Sequence, residues 1–339
     1  MRRFAPVLAA ALSIASPAAA QTVYGLVGND RIVTFSPSSP GTITSDRAIT
    51  GLIAGEVLTG IDFRPLDNFI YTVSTRGNVY RLAEAGGVFA ATLTGAVQSF
   101  PPPGTPIPVV GANFGIDFNP VPDRIRLVGD TDQNLRTNPL NGGTAIDSPV
   151  NNGAGGTPYD LVGAAYTNSF AGASTTTLYA IDGLSSSLLR SPSPNGPNAG
   201  IYVNTNLAGN PFDPLGISLN SQSQVGFDIL SAGGANLAYL SANNGFYSVD
   251  LTSGRATLIG SLGVGDIRGI ATTAVPEPAA WAMMLMGFGA VGCLLRGRRL
   301  PPRRARGLTP AGTTKQFDPP HRAGDAAEAG SRPIDMPWR

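Results

Sequence analysis

The stretch LTGIDFRPLDNFIYTVSTRGNVYRLAEAGGVFAATLTG, residues 58–95, decides the fold. It holds four short runs, LTGIDF, FIYTVS, NVYRL and VFAATLTG, rich in β-branched and aromatic residues and separated by Pro, Asp, Asn and Gly. That composition is the signal for strands and turns. Alternation with period two sends successive side chains to opposite faces, so each run reads as a strand and the four together as an antiparallel meander. The pattern returns between Val225 and Gly260 as VGFDIL, NLAYLS, GFYSVD and RATLIG. The leading motif GIDF stands at 60–63 and 115–118, GFDI at 226–229, and a weaker relative, VGAAYT, begins at Val162. Repeats of roughly 50 residues with four strands each are in the range of propeller blades.

The ends of this pattern carry the topology. TVYGLVG, a GNDR turn and IVTFSP near the start look like the second and third strands of a unit without its first. DIRGIATT, residues 266–273, looks like a first strand with nothing after it. Joining them completes a fifth unit and closes a ring, which leaves no radial edge exposed. The expected fold is therefore all-β, a propeller of about five four-stranded blades closed by N- and C-terminal strands. The alternative is an irregular β-sandwich in which the repeats are coincidental.

Four segments follow from composition. Arg2 and Arg3, the apolar run Phe4 to Ile14, then Pro17 and Ala18-Ala19-Ala20 read as a signal peptide, residues 1–20, cut by signal peptidase between Ala20 and Gln21. Residues 21–274 form the β domain. Residues 275–299 contain a short apolar segment, Ala279 to Leu295, and residues 300–339 have the Pro, Arg, Gly and Ala bias of a disordered tail.

Charge and residue usage exclude several chemistries. The β domain carries 11 arginines, no lysine and 17 acidic residues, so it is acidic and not built to neutralise a nucleic-acid backbone. The one cysteine, Cys293, and the one histidine, His321, both lie after it. A Ser-His-Asp triad, a cysteine nucleophile, a Schiff-base lysine and the usual zinc sites are thereby ruled out within the domain. Carboxylates, hydroxyls and arginines remain.

Among these, Asp62, Asp117 and Asp228 occupy equivalent positions in their repeats. On innermost strands they would gather at the axis, where three carboxylates suit a calcium ion. The competing reading has each accept N–H bonds from a neighbouring turn, or pair with an arginine such as Arg64 or Arg268. DTDQN, Asp130 to Asn134, resembles the opening of a calcium loop but places Leu135 where Gly is required, so a hairpin turn explains it. GAGG, residues 153–156, does not sit between a strand and a helix and reads as linker.

The motifs LVGNDRIVTFSPSSPG, RAITGL, LTGIDFRP, FGIDFNPVPDRIRLVGDTDQNLRTNP, VGAAYTNS and TTTLYAID occur in the order of the bacterial family called domain of unknown function 4394. The resemblance covers nearly all of residues 22–273 and implies a propeller-like β domain with no assigned activity. The tail resembles a second signal. Pro276-Glu277-Pro278, then WAMML, a Gly-Phe-Gly centre and terminal arginines are similar to the PEP-CTERM sorting motif of Gram-negative bacteria. That resemblance implies export, transient anchoring in the inner membrane through a transmembrane helix at 279–295, and processing by an exosortase that recognises Pro276, Glu277 and Pro278. The apolar run of 17 residues would reach about 25 Å, short for a permanent anchor in a ~30 Å hydrocarbon core.

The functional expectation is an exported cell-surface or matrix protein, not an enzyme, whose propeller binds a carbohydrate or another protein in exopolysaccharide or biofilm. The alternatives are a purely structural extracellular component and, third, an enzyme acting through carboxylates on glycans.

Overall fold

The computed structural model describes residues 20–275, apart from 154–158, 193–195, 205–213, 220–223 and 266. Of the signal peptide expected at 1–20 only Ala20 falls among these residues, and of the sorting motif only Val275; the span at 279–295, the 300–339 tail and most of the GAGG stretch lie outside them. The described residues contain strands and turns and no helix, so none that could cross a membrane.

The strands are β1 (Ala20–Val27), β2 (Arg31–Phe35), β3 (Ile43–Thr50), β4 (Asp62–Phe63), β5 (Ile70–Val73), β6 (Asn78–Ala85) and β7 (Val88–Ala96). After these come β8 (Gln98–Ser99), β9 (Phe114–Asn119), β10 (Arg124–Gly129), β11 (Asn134–Thr137) and β12 (Gly143–Ile146). The chain continues with β13 (Leu161–Tyr166), β14 (Leu178–Asp182), β15 (Ser187–Ser191) and β16 (Val203–Asn204). It finishes with β17 (Gly226–Ala232), β18 (Ala235–Ala242), β19 (Gly245–Val249), β20 (Ala256–Ser261) and β21 (Ile267–Val275).

Five meanders result. Blade 1 runs β21-β1-β2-β3, blade 2 is β4 to β7, blade 3 is β9 to β12, blade 4 is β13 to β16 and blade 5 is β17 to β20. The split blade is formed as the sequence predicts: β21 lies antiparallel to β1, with Val23 opposite Thr272 and Val27 opposite Ile267. Cleavage after Ala20 would leave this register intact from Gln21, which faces Ala274. Two pairings go beyond the expected meanders. A short parallel contact, Ile49 with Phe89 and Thr50 with Ala90, joins the outer edges of blades 1 and 2 into one eight-stranded sheet. β8 adds a fifth, parallel strand outside β12.

The innermost strands touch in the order β4, β9, β13, β17, β21 and back to β4, which closes the ring. The core is correspondingly divided into five wedges, each between successive blades. Blades 2 and 3, for example, bury Tyr71, Val73, Ile116, Phe118 and Leu127 against one another. Blades 5 and 1 do the same with Tyr239, Phe246, Val33, Phe35 and Ile270. Sheets stacked face to face need such interdigitated apolar faces, which is why nearly every inner and second strand is buried along its length.

What lets five inner strands approach one axis is glycine. Each inner strand has one at the same place, within the strand at Gly115, Gly163, Gly226 and Gly269 and just before β4 at Gly60. A Cβ on Gly115 would lie 2.5 Å from the backbone of Gly163 and Ala164, and one on Gly269 would lie 2.9 Å from the Cα of Gly60. Real side chains do not fit at those distances, so the first residue of the GIDF repeat is fixed by the approach of the next blade. The collar leaves a cavity of only about 10 Å³ on the axis, too small for a ligand.

Candidate functional site

Two residues beyond each collar glycine the same face of the strand comes round again. There stand Asp62, Asp117, Ala165, Asp228 and Ala271, in blades 2, 3, 4, 5 and 1. The three aspartates are buried, and one carboxylate oxygen from each lies within 4.8 Å of the others. The structure thus brings together all three sequence-predicted residues at the axis.

Their hydrogen bonds explain the repeat. An inner strand pairs on one side only, so its N–H groups facing the axis have no ladder partner. Asp62 accepts from the Phe118 N–H at 2.7 Å, Asp117 from the Tyr166 N–H at 3.1 Å, and Asp228 from the Thr272 N–H at 2.6 Å. In every case the donor belongs to the inner strand of the next blade. Asp62 and Asp228 also accept from the residue that follows them, Phe63 and Ile229, at 2.7 and 2.6 Å. Each aspartate is a staple between blades. The donors are strand amides of a neighbouring blade, not a turn as the sequence suggested. Arg64 does not join the cluster; it pairs with Asp67 at 2.7 Å and Asp123 at 2.5 Å. Arg268 makes no ion pair with the aspartates.

No arginine among the described residues neutralises this cluster. Burial, followed by repulsion from Asp228, holds the Asp62 carboxyl well above the usual carboxylate range. Burial, then Asp62 and Asp228, does the same for Asp117. Burial pushes Asp228 up to about 6, against the opposing bonds from Thr272. A cluster of this kind holds protons at neutral pH or takes a hard cation, and three oxygens supply part of the six to eight ligands calcium uses.

Above the aspartates the ring opens into a funnel of about 320 Å³. Asp62 and Asp228 reach its floor, and Phe63, Phe170, Ser231 and Thr272 are on its walls. Phe170 is 52% exposed and sits in the loop 167–177 between β13 and β14. That loop is tied to blade 5. The Asn168 N–H donates to Asn236 Oδ1 at 2.9 Å, the Ser169 N–H donates to Ser231 Oγ at 2.8 Å, and Ser231 Oγ donates to Asn236 Oδ1 at 2.7 Å. The wall of the funnel is therefore held in place before any ligand arrives. Sequence reasoning missed Phe170, Ser231 and Thr272, because residues about 60 and 100 positions apart meet here only through ring closure.

DTDQN forms the β10–β11 hairpin turn, with Gly129 N–H donating to Gln133 O at 3.2 Å and Asp132 at φ 62°. Asp130 accepts from the N–H groups of Ala112 and Asn113.

Comparison with known proteins adds the family and the tail. The family model described as domain of unknown function 4394 matches residues 31–271, and the PEP-CTERM protein-sorting motif matches residues 274–299. That motif implies export, a transient C-terminal membrane anchor and processing by an exosortase. No curated protein matches the chain. Among solved structures it is similar to a chain of a nidogen/laminin complex, at 14% identity over 75% of this chain and 98% of that one, TM-score 0.40. It is also similar to a structural genomics protein of unknown function from Bacteroides thetaiotaomicron VPI-5482, at 14% identity, 74% and 61% coverage and TM-score 0.43. Myxococcus xanthus glutaminyl cyclase is similar at 11% identity, 70% and 96% coverage and TM-score 0.37.

Proposed function

The chain belongs to the domain of unknown function 4394 family and ends in a PEP-CTERM sorting motif, and on that premise we propose that it is a non-catalytic glycan-binding propeller of the cell surface. The funnel carries this reading. A sugar ring offers an apolar C–H face and a rim of hydroxyls. The funnel offers the exposed ring of Phe170 together with Ser231, Thr272 and the buried carboxylates of Asp62 and Asp228. Concave sites of a few hundred Å³ with few, fixed polar groups are where small ligands bind. An enzymatic reading has less support. The aspartates are buried, and each accepts an amide that holds the ring together, whereas glycoside hydrolysis needs one carboxyl free to protonate a leaving group and another to attack or to activate water.

A glycan and exopolysaccharide binding screen on the purified protein tests this. Phe170→Ala is expected to weaken binding of the retained glycan at least about tenfold, as truncation of an aromatic anchor does. Its melting temperature should barely change, because the ring is half exposed. Equal binding by the variant, or no glycan retained at all, overturns the assignment.

The address is tested separately. In a host with an exosortase, mass spectrometry of the surface or secreted fraction should find peptides ending near Pro276 to Pro278 and none from beyond Leu300. Without the enzyme the chain should stay in the inner membrane. Full-length protein on the surface of the competent host would leave a plain membrane anchor as the better account.

A further inference from the structure

The loop 167–177 separates the funnel from a second cavity of about 410 Å³, between blades 3 and 4. Both cavities lie at the C-terminal ends of inner strands, so they share one face of the ring. Their chemistry differs. Among the described residues, Arg136 is the only charged one on the second cavity's wall; Tyr166 and Asn198 line it as well. Beneath them Arg126 is fully buried, its side chain 1% exposed. Its guanidinium donates to the Tyr166 hydroxyl at 3.2 Å, to Asn198 Oδ1 at 3.0 Å and to Asp147 Oδ2 at 2.6 Å.

Asp147 is shared. It accepts Nε and Nη2 of Arg136 at 2.6 and 2.9 Å as well as Arg126. Two guanidiniums thus face one carboxylate, and the groove keeps one net positive charge. Arg136 Nη1 has no partner among the described residues, and its side chain is 31% exposed. A buried arginine that shares its one buried carboxylate with a second, part-exposed arginine is a demanding arrangement for a fold to keep, since stability alone is served as well by apolar packing. It becomes economical where an anion completes it, because guanidinium groups favour carboxylates. The rest of the wall selects what carries that anion. Ser174, Thr175 and Thr176 line one side with hydroxyls, while Val121, Pro122 and Leu178 supply an apolar surface.

We propose that this groove is a binding site for a sugar acid, with the uronate carboxylate over Arg136, ring hydroxyls on the Ser174–Thr177 edge and the C–H face on Val121 and Pro122. It extends the glycan reading of the funnel to acidic saccharides, and the test below does not depend on the funnel.

The probe is galacturonate as the monosaccharide, titrated by calorimetry into the full-length protein in mild detergent. Saturable binding is expected, at least tenfold weaker in Arg136→Gln and several-fold weaker in Arg136→Lys, which keeps the charge but not the fork. Thr175→Trp changes an exposed residue, fills the groove and leaves the arginine network intact. It should abolish binding with an unchanged melting temperature, so the outcome does not rest on Arg136→Gln folding normally. Galactose, which lacks the carboxylate, and sulfate, which lacks the ring, should not displace galacturonate. Displacement by sulfate at equal concentration would make this a plain anion site, and undiminished binding in Thr175→Trp would place the sugar elsewhere; either result overturns the proposal. Phe170→Ala should bind galacturonate normally. Loss of funnel binding there, with groove binding kept, separates the two assignments, and failure of the groove alone leaves the funnel standing.

Discussion

Deleting residues 267–273 is expected to abolish the cooperative thermal transition of the domain. The segment is a small part of the chain, yet it supplies the inner strand of blade 1. With it go Ile267, Ile270 and Ala271, all at most 2% exposed. Burial of each isoleucine is worth about 1.5–3 kcal/mol. The loss also uncovers their neighbours Val23, Val33 and Phe35, strips β1 of its partner along Val23–Val27, and takes away the Thr272 N–H and hydroxyl that Asp228 holds. Together these exceed several kcal/mol, against a total stability of about 5–15 kcal/mol for a domain. A graded version should melt cooperatively: Ile270→Ala removes one buried side chain and is expected to cost about 2–5 kcal/mol. Circular dichroism melts of the three proteins decide it. A truncated domain melting with the native one would mean that the ring is not what β21 holds.

That closure was legible because it is written in strand patterns at both ends of the domain. DIRGIATT begins like the other inner strands, and TVYGLVG with IVTFSP needs one. The GIDF repeat was legible too, but its cause was only half readable. Period two placed the aspartates on one face. It could not say that the glycine two residues before exists to admit the next blade, or that the acceptor's donor is Phe118, Tyr166 or Thr272. Those partners lie 44–56 residues away, and only ring geometry selects them. Blade 4 hid its outer strand for a local reason: β16 is two residues, Val203–Asn204, after a stretch rich in Ser, Pro and Asn. The β3–β7 and β8–β12 contacts were invisible because two-residue parallel pairings leave no periodicity. Both cavities were missed because they belong to loops, whose shape is set by the scaffold that carries them.

The second large effect is expected at the axis. Asp62, Asp117 and Asp228 all have carboxyl groups pushed above their unfolded value, chiefly by burial. The folded state therefore binds more protons than the unfolded state in the window above the unfolded value of 3.8, and stability must fall as pH rises there. The contribution is fully present below that value and lost as pH passes the folded value, which for Asp228 is about 6. A shift of that size corresponds to roughly 3 kcal/mol for Asp228 alone. With EDTA present, the melting temperature should drop between pH 4 and pH 8. Other carboxyls share the direction, Asp132 and Asp160 among them, so the cluster's share is read from a difference. Asp117→Asn keeps a carbonyl to accept from the Tyr166 N–H, removes one of three like charges and turns an amide donor toward the other two. It should flatten the slope and melt higher than the native protein at pH 8. Calcium, if the three oxygens hold it, replaces the protons. It should then raise the native melting temperature at pH 8 by mass action and leave Asp117→Asn unmoved. A native protein indifferent to calcium but corrected by Asp117→Asn would assign the cluster to protons alone. Equal pH slopes for the two proteins would show that the carboxylates are compensated in the fold, and that their amide bonds suffice to offset the burial.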